Sequence, residues 1–543
     1  MTARIPLIVN PSVEQIQELP SGDSLSIPGD LDVTGTVTGS ALHAVKLIAD
    51  GTIAANAAVV LTSAGKAKTI STVAESHGTA STFLSHTGSL QVHAINEMVW
   101  DAGQSVVLIN WTAKPPSGSL YPRNMTAGVL SGSSITWNTT PQGLGNYITP
   151  AFAVNGEGGG LALYRTSGTT DLFYKTFTLS GSTMTMGTAA TLSAYSVGPS
   201  GNHPDRPYCE YLTKEGSSHY FVVGYRTGYD AESGNGMVMK IRIAKWDGQN
   251  NVTLGTEVQV GSLVTSNASR TKIHARILRL EDNRFLIHDS DDYHVCTRDA
   301  GTTNFRVGEA NSSVTGGIGE DSNPPVYDPR TKTLLTADTG VDPSGIVVFD
   351  VDGENINFRC KINLPSDVRA LTNGGQFGKG HVRMTDKGQI VYSYFDGSFA
   401  NGKQIIGTFN DARDGVTWGA ATTYSTNAGN LGIRPRIVKV SDGKLVHVYY
   451  SGSSNNEDGK SVVSQMPSTT LTEDNFLGFS AAGYSDGNTA SISVMGSQTT
   501  KSGLTIGKKY YVQDNGTIGI GKSSFGVVAG KALSATKLLI TPV

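Results

Sequence analysis

Arg434-Pro435-Arg436-Ile437-Val438-Lys439-Val440, a turn at Asp442-Gly443, then Lys444-Leu445-Val446-His447-Val448-Tyr449-Tyr450 is the clearest copy of a phrase that this chain repeats. Two apolar-rich runs flank an Asp-Gly pair, the signature of two antiparallel strands joined by a tight turn. Similar phrases begin near His93, Pro150, Pro207, His274, Pro325 and His381. With Pro435 they make seven, at spacings of 57, 57, 67, 51, 56 and 54 residues. Strand-and-turn units recurring about every 50 residues point to a β-propeller or a similar repeat array.

Each unit reads as four strands. The first carries the Pro or His anchor, and a short turn such as Asp386-Lys387-Gly388 follows it. The second is the most apolar, as in Val106-Val107-Leu108-Ile109 and Tyr220-Phe221-Val222-Val223. Near-continuous apolar runs imply burial on both faces, as for inner strands between neighbouring sheets. The third follows a longer polar loop. The fourth often begins near a Thr-Trp pair, Thr136-Trp137 or Thr417-Trp418, and Trp111, Trp137, Trp246 and Trp418 are expected to pack between units.

The seventh unit lacks its fourth strand, and a spare one precedes the first unit. Gly78-Thr79-Ala80-Ser81-Thr82-Phe83-Leu84-Ser85 aligns with the fourth-strand segments Gly419-Ala420-Ala421-Thr422-Thr423-Tyr424-Ser425-Thr426 and Gly187-Thr188-Ala189-Ala190-Thr191-Leu192-Ser193. Pairing the two ends removes the exposed edges of an open array. The expectation is an all-β chain: a seven-bladed β-propeller over 78–467, closed by an N-terminal strand and flanked by small β domains. The flanks divide into 1–45, a connector at 46–77 and a C-terminal domain at 468–543, with an Asn515-Gly516 hairpin turn in the last. The period-two stretch Leu31–Gly39 is too short to stand alone and calls for partners, most simply copies from other chains.

Phe476-Leu477-Gly478-Phe479-Ser480, Ser502-Gly503-Leu504-Thr505 with Lys509-Tyr510-Tyr511-Val512, and Ala529-Gly530-Lys531-Ala532-Leu533-Ser534-Ala535-Thr536-Lys537-Leu538-Leu539-Ile540 resemble the ending of many tailed-bacteriophage fibre proteins. The opening Ile5-Pro6-Leu7-Ile8-Val9-Asn10-Pro11 and the Leu31–Gly39 stretch resemble phage fibre N-termini, cyanophage-type virion proteins above all. The resemblance implies a homotrimer in the phage tail. Its N-terminus would attach to other tail or baseplate proteins, and its distal domains would recognise the host surface.

Composition narrows the choices. Gly makes up 65 of 543 residues, about one in eight against a usual share of roughly 7%, as suits a turn-rich β protein. A net charge of −3 supplies no basic footprint for nucleic acid. No apolar run approaches the ~20 residues that span a membrane, so membrane insertion is not expected. Met1–Asn10 lacks the basic and apolar regions of a signal peptide, which fits synthesis in a host cytoplasm. Cys209, Cys296 and Cys360 are odd in number and far apart, so neither a disulfide framework nor a metal site is expected. No cofactor is expected either.

Loop lengths pick out a working face. Loops between strands two and three, and several between blades, are long and fall on one side of a propeller. That face carries Tyr225, Tyr229, Asp230 and Glu232; Asp289, Asp291, Asp292 and Tyr293; Asp338 and Asp342; Asp396 and Phe399; and Asn455, Asn456, Glu457 and Asp458. His203, Asp205, Glu320 and Asp321 join from the between-blade loops. Carboxylates accept bonds from sugar hydroxyls and rings cover a sugar's apolar face, so host glycan or lipopolysaccharide is the expected ligand. The candidate contacts are Tyr229, Asp230, Asp291, Asp292, Tyr293, Asp396, Phe399, His203 and Asp205, although Asp and Asn are also what turns prefer.

Catalysis is not the expectation. Gly415-Val416-Thr417-Trp418 sits where sialidases repeat their Asp-box, but the box's Asp falls at Arg413 and Asp414 is one place off. Arg206, Arg276 and Arg436 imitate an arginine cluster only loosely, and nothing in the sequence brings Asp291, Asp292 and Asp338 together as a carboxylate pair. Asp289-Ser290-Asp291-Asp292 lacks the late Glu of a calcium loop. The alternatives to a glycan-binding fibre are a non-receptor structural subunit, at the baseplate or as a decoration or connector, and a glycan-cleaving tailspike.

Overall fold

The computed structural model describes residues 6–10, 15–18, 44–85, 91–114, 123–144, 150–165, 171–193, 207–226, 237–249, 251–264, 276–289, 292–311, 325–338, 345–368, 380–385, 387–396, 401–410, 412–426, 435–440, 443–453, 456–472, 474–522 and 525–541. The chain forms two compact units, Thr72–Ser468 and Met1–Ser71 with Thr469–Val543. The described residues are strands and turns apart from one helical turn at 366–368.

Among the described residues, Thr72–Ser468 builds seven antiparallel sheets, each a blade of a β-propeller. Their first strands are Gln91–Asp101, Ala151–Val154, Tyr208–Glu215, Arg276–Glu281, Val326–Asp328, His381–Met384 and Arg436–Lys439. Each first strand packs against that of the next blade, and the seventh packs against the first. The recurring Pro and His anchors therefore mark the inner wall, with His274 outside the described residues. One anchor has a visible function: His381 Nδ1 accepts from the Ile437 backbone amide of the next blade at 2.8 Å.

Second strands are the most buried. All six residues of Gly159–Tyr164 and of Ile390–Phe395 are buried, because each lies between two sheets and covers apolar side chains on both faces. Between blades 1 and 2 the core holds Leu108, Met125, Phe152, Ala162 and Phe177. Between blades 3 and 4 it holds Val222, Ile241, Phe285 and Cys296.

In five blades the outer edge of the third strand is covered by two short strands rather than one. In blade 6 the second of these, Thr422–Ser425, pairs Gly402↔Ser425, then shifts to Lys403↔Thr423 and Gln404↔Thr422. The seventh blade repeats this register with an N-terminal segment: Gly459↔Leu84, a shift, Lys460↔Thr82 and Ser461↔Ser81. Ser76–His77 fills the other half, with Ser464↔His77. Glycine explains the match. The Tyr424 ring lies where a Cβ on Gly402 would stand, and the Phe83 ring does the same at Gly459. Tryptophans use a second glycine in the same way. Gly128 faces Trp137 and Gly407 faces Trp418, and a Cβ at either glycine would come within 2.8 Å of the indole.

In the other unit, Ala44–Ile48, Thr489–Ser493, Phe476–Ser480, Ala58–Leu61 and Ala67–Thr69 form one sheet in that order. The flanking segments that the sequence reading keeps apart, 46–77 and 468–543, thus share strands, because each supplies only short strands with one apolar face. A second sheet runs Gln498–Thr500, Lys537–Leu539, Val528–Ala532, Lys509–Val512 and Ile518–Gly519. Phe479, Leu504, Val512, Ala529 and Leu538 are core residues of this unit. The Asn515-Gly516 turn is present, with Gln513 N donating to Thr517 O at 2.8 Å. Pro6–Asn10 pairs with Gln15–Glu18. The Leu31–Gly39 stretch lies outside the described residues.

Candidate ligand-binding face

Strand order sets which side chains meet. Turns between strands one and two, and between three and four, gather at one end of the blades. The two-to-three and between-blade loops gather at the other. Of the candidate residues at that second end, His203, Asp205, Tyr229, Asp230, Asp291 and Phe399 lie outside the described residues.

The described candidates have structural partners. Asp396 closes the base of its loop: its carboxylate accepts from Asn401 N at 3.2 Å and Asn401 Nδ2 at 2.5 Å, with Lys403 Nζ at 3.8 Å. Asp292 is the first residue of its strand, and its backbone is in register with that of Asp289. Tyr293 is a correction. It is 1% exposed, its ring stacks on His288 at 4.6 Å, and Phe349 of the next blade lies 5.7 Å away. The strand begins one residue earlier than a loop reading requires, and its alternation turns Tyr293 into the inter-blade core. Burial holds the phenol pKa well above its usual value. Tyr225 is likewise 4% exposed; its hydroxyl donates to Glu257 and accepts from Ser193 Oγ at 2.8 Å. Glu257 in turn holds Lys240 and Arg242 at 2.7 and 2.8 Å.

The sequence reading missed the charges on the inner wall. Glu97, Glu210 and Arg383 sit on first strands of blades 1, 3 and 6. Enclosure by the ring raises the Glu210 carboxyl to about 8, Glu97 adds to the shift, and the Arg279 amide and Arg383 oppose it. Arg383 is lowered to about 10 by burial, against the pull of Glu210. Glu97 Oε2 accepts from the Phe152 amide at 3.1 Å. The inner wall thus carries a carboxyl that holds its proton more tightly than an ordinary glutamate. Its signal in the sequence is a charge inside the first strand, in Cys209-Glu210-Tyr211.

A Ser-His pair also appears, Ser393 Oγ to His447 Nδ1 at 3.2 Å. Both residues are 0% exposed, Tyr424 stacks on the imidazole at 4.1 Å, and burial pushes His447 down to about 3. It is a packed polar contact between blades 6 and 7, closed to a substrate. At the opposite end, a cleft of about 370 Å³ is lined by Lys245, Asp247, Asn251, Thr253 and residues 301–304.

No family model matches the chain, and no curated protein matches it. Among solved structures it is similar to a protein from Lactobacillus plantarum, at 14% identity and a TM-score of 0.42, over 64% of this chain and 92% of that one. It is also similar to the β-propeller domain of the trilobed protease from Pyrococcus furiosus, at 8% identity and a TM-score of 0.35, over 68% of this chain and 94% of that one. A third similar structure is the polysaccharide lyase Uly1, at 10% identity and a TM-score of 0.38, over 78% of this chain and 100% of that one. At these identities the likeness concerns the fold alone.

Proposed function

We propose that the chain is a virion protein of a tailed phage, a fibre that binds a host surface glycan through the long-loop end of its propeller. The observation that carries this reading is where the fibre-like segments fall. The opening and closing stretches, at 5–11 and within 476–540, belong to the unit outside the propeller. Residues 1–45 would attach and trimerise the chain, and three propellers on one shaft would multiply a weak site into avidity. Carboxylates and rings on the long loops would bond hydroxyls and cover sugar faces.

The test uses purified full-length chain on host cells and on isolated envelope polysaccharide, with sedimentation to fix the subunit number. Binding of polysaccharide by a trimer, without released product, is the expected result. Released oligosaccharide replaces the fibre with a glycan-cleaving tailspike. Failure to bind either target leaves a structural virion subunit, and a monomer removes the avidity argument.

A further inference from the structure

One motif in the sequence stays unexplained by glycan-binding loops: the Asp-box-like turn that carries Arg413 where the box has Asp. In the structure this turn joins strands three and four of blade 6, at the end of the blades opposite the long loops. Asn410 builds it, with its backbone amide bonded to Gly415 O at 2.9 Å and its side-chain oxygen accepting from Asp414 N at 3.1 Å. Arg413 adopts φ +58 there, a left-handed conformation that is uncommon for a residue with a side chain and that clusters at functional sites.

That backbone aims the Arg413 guanidinium at blade 5. Nη1 donates to Thr333 Oγ1 at 3.1 Å, and the group lies 5.1 Å from the Phe409 ring centre. Nε and Nη2 have no partner among the described residues. Two more guanidiniums stand close by, each already matched. Arg330 forks onto Asp328 at 3.1 and 3.2 Å. Arg359 forks onto Asp350 at 2.9 and 2.6 Å. Asp414 is turned away, its Oδ1 accepting from Asn410 Nδ2 at 2.7 Å. Arg330 and Arg359 are thus each forked onto a carboxylate, whereas among the described residues the half-buried Arg413 guanidinium is not.

Gly388 opens the space for it. A Cβ on this glycine would stand 3.1 Å from Arg413 Nη2 and 3.4 Å from Arg330 Nη2, and its φ of +70 suits glycine. Two guanidiniums therefore converge above Gly388, beside Asp328 Oδ2, which would stand 3.6 Å from that Cβ and already accepts from Arg330 Nη2. Guanidinium recognises planar and tetrahedral oxyanions through paired N–H groups.

We propose that this turn cluster between blades 5 and 6 binds a single oxyanion, a carboxylate, sulfate or phosphate group, held by Nε and Nη2 of Arg413 and flanked by Arg330 above Gly388. The site is independent of the glycan reading of the long loops.

The test titrates full-length protein with sodium selenate against sodium chloride at matched ionic strength, and locates selenium by anomalous diffraction in soaked crystals. Selenate is expected beside Arg413 and Arg330, with affinity falling roughly tenfold or more in Arg413→Gly and less in Arg413→Lys. Glycine accepts φ +58, so Arg413→Gly is expected to stay folded. Arg413→Gln, which keeps the side chain's length, repeats the test if it does not. Dextran sulfate and plain dextran then separate sources. Capture of dextran sulfate alone, lost in Arg413→Gly, assigns a polysaccharide-borne group, whereas selenate binding without it assigns a free anion. Absence of selenium at the turn, or equal affinity in Arg413→Gly, overturns the proposal.

Discussion

Trp137 Nε1 donates to Ser461 Oγ at 2.8 Å, across the boundary between the first blade and the last. Phe83 of the closing strand lies 5.6 Å from the Trp137 ring and 6.2 Å from Trp111. The three rings and Ser461 join segments more than three hundred residues apart in sequence. Removing the ring that fills the Gly459 notch, Phe83→Ala, is expected to cost about 3–5 kcal/mol, the usual range for a buried phenylalanine. Trp137→Phe, which keeps most of the packing and loses the hydrogen bond, is expected to cost about 1–3 kcal/mol. Urea unfolding curves measure both, and a smaller loss for Phe83→Ala than for Trp137→Phe would contradict this ordering.

Overfilling the notch tests the same geometry from the other side. Gly128→Ala places a Cβ 2.6 Å from the Trp137 ring, and Gly407→Ala meets Trp418 similarly. Overpacking of this kind costs about 1–3 kcal/mol. The two variants are expected to lower the melting temperature by similar amounts. A harmless Gly407→Ala would show that the Trp418 ring can move aside.

His447 makes the ring acid-sensitive. Its folded pKa, about 3, lies below the ordinary 6.5 because burial disfavours the charged ring. Between these values the unfolded chain binds a proton that the folded chain does not. The contribution is fully present above pH 6.5 and is lost as pH falls toward 3, by up to ~1.4 kcal/mol per pH unit. His447→Gln, which stays neutral, should flatten the fall in urea midpoint between pH 7 and pH 5. An unchanged slope would assign acid sensitivity to other groups.

Glu210 has the opposite sign. Its folded pKa of about 8 lies above the ordinary 4.5, so the folded chain holds a proton that the unfolded chain releases. Stability from this group is greatest below pH 4.5 and falls as pH rises through 8. Glu210→Gln is expected to raise the melting temperature at pH 8 and to change it little at pH 4.5. Equal effects at both pH values would place Glu210 in open solvent.

Tyr293 separates core from contact. Tyr293→Ala is expected to destabilise by about 3–5 kcal/mol, as for other large buried rings. Tyr293→Phe, which keeps the ring, should leave glycan capture unchanged within twofold. A selective loss of capture in Tyr293→Phe would return the hydroxyl to the binding surface.

The repeated phrase made much of the propeller legible. Period-two runs and turn pairs mark first and second strands, and aligning 78–85 with 419–426 locates the closing strand to within two or three residues. That alignment works because Phe83 and Tyr424 fill equivalent glycine notches, a packing constraint that leaves its mark in local sequence. Site residues were harder to read. Tyr293 looks like a loop aromatic because Asp289-Ser290-Asp291-Asp292 reads as a long loop, whereas the strand starts at Asp292 and its alternation turns the ring inward. Glu210 and Arg383 are far apart in sequence and influence each other only through ring closure, which no local pattern encodes. Arg413 stands out in the sequence only as a departure from a motif, since its spare donors depend on which carboxylates Arg330 and Arg359 hold.

Completing the seventh blade with residues 76–84 has a consequence for synthesis. Leu84 is translated 375 residues before its partner Gly459. At ordinary elongation rates of roughly 5–20 residues per second, this strand waits on the order of 20–75 seconds without its mate. Until Ser461 emerges, Trp137 lacks the partner that accepts from its indole N–H. A nascent propeller is therefore exposed to wrong pairing until its final blade emerges, and holding that early segment extended is the step at which a chaperone would matter most.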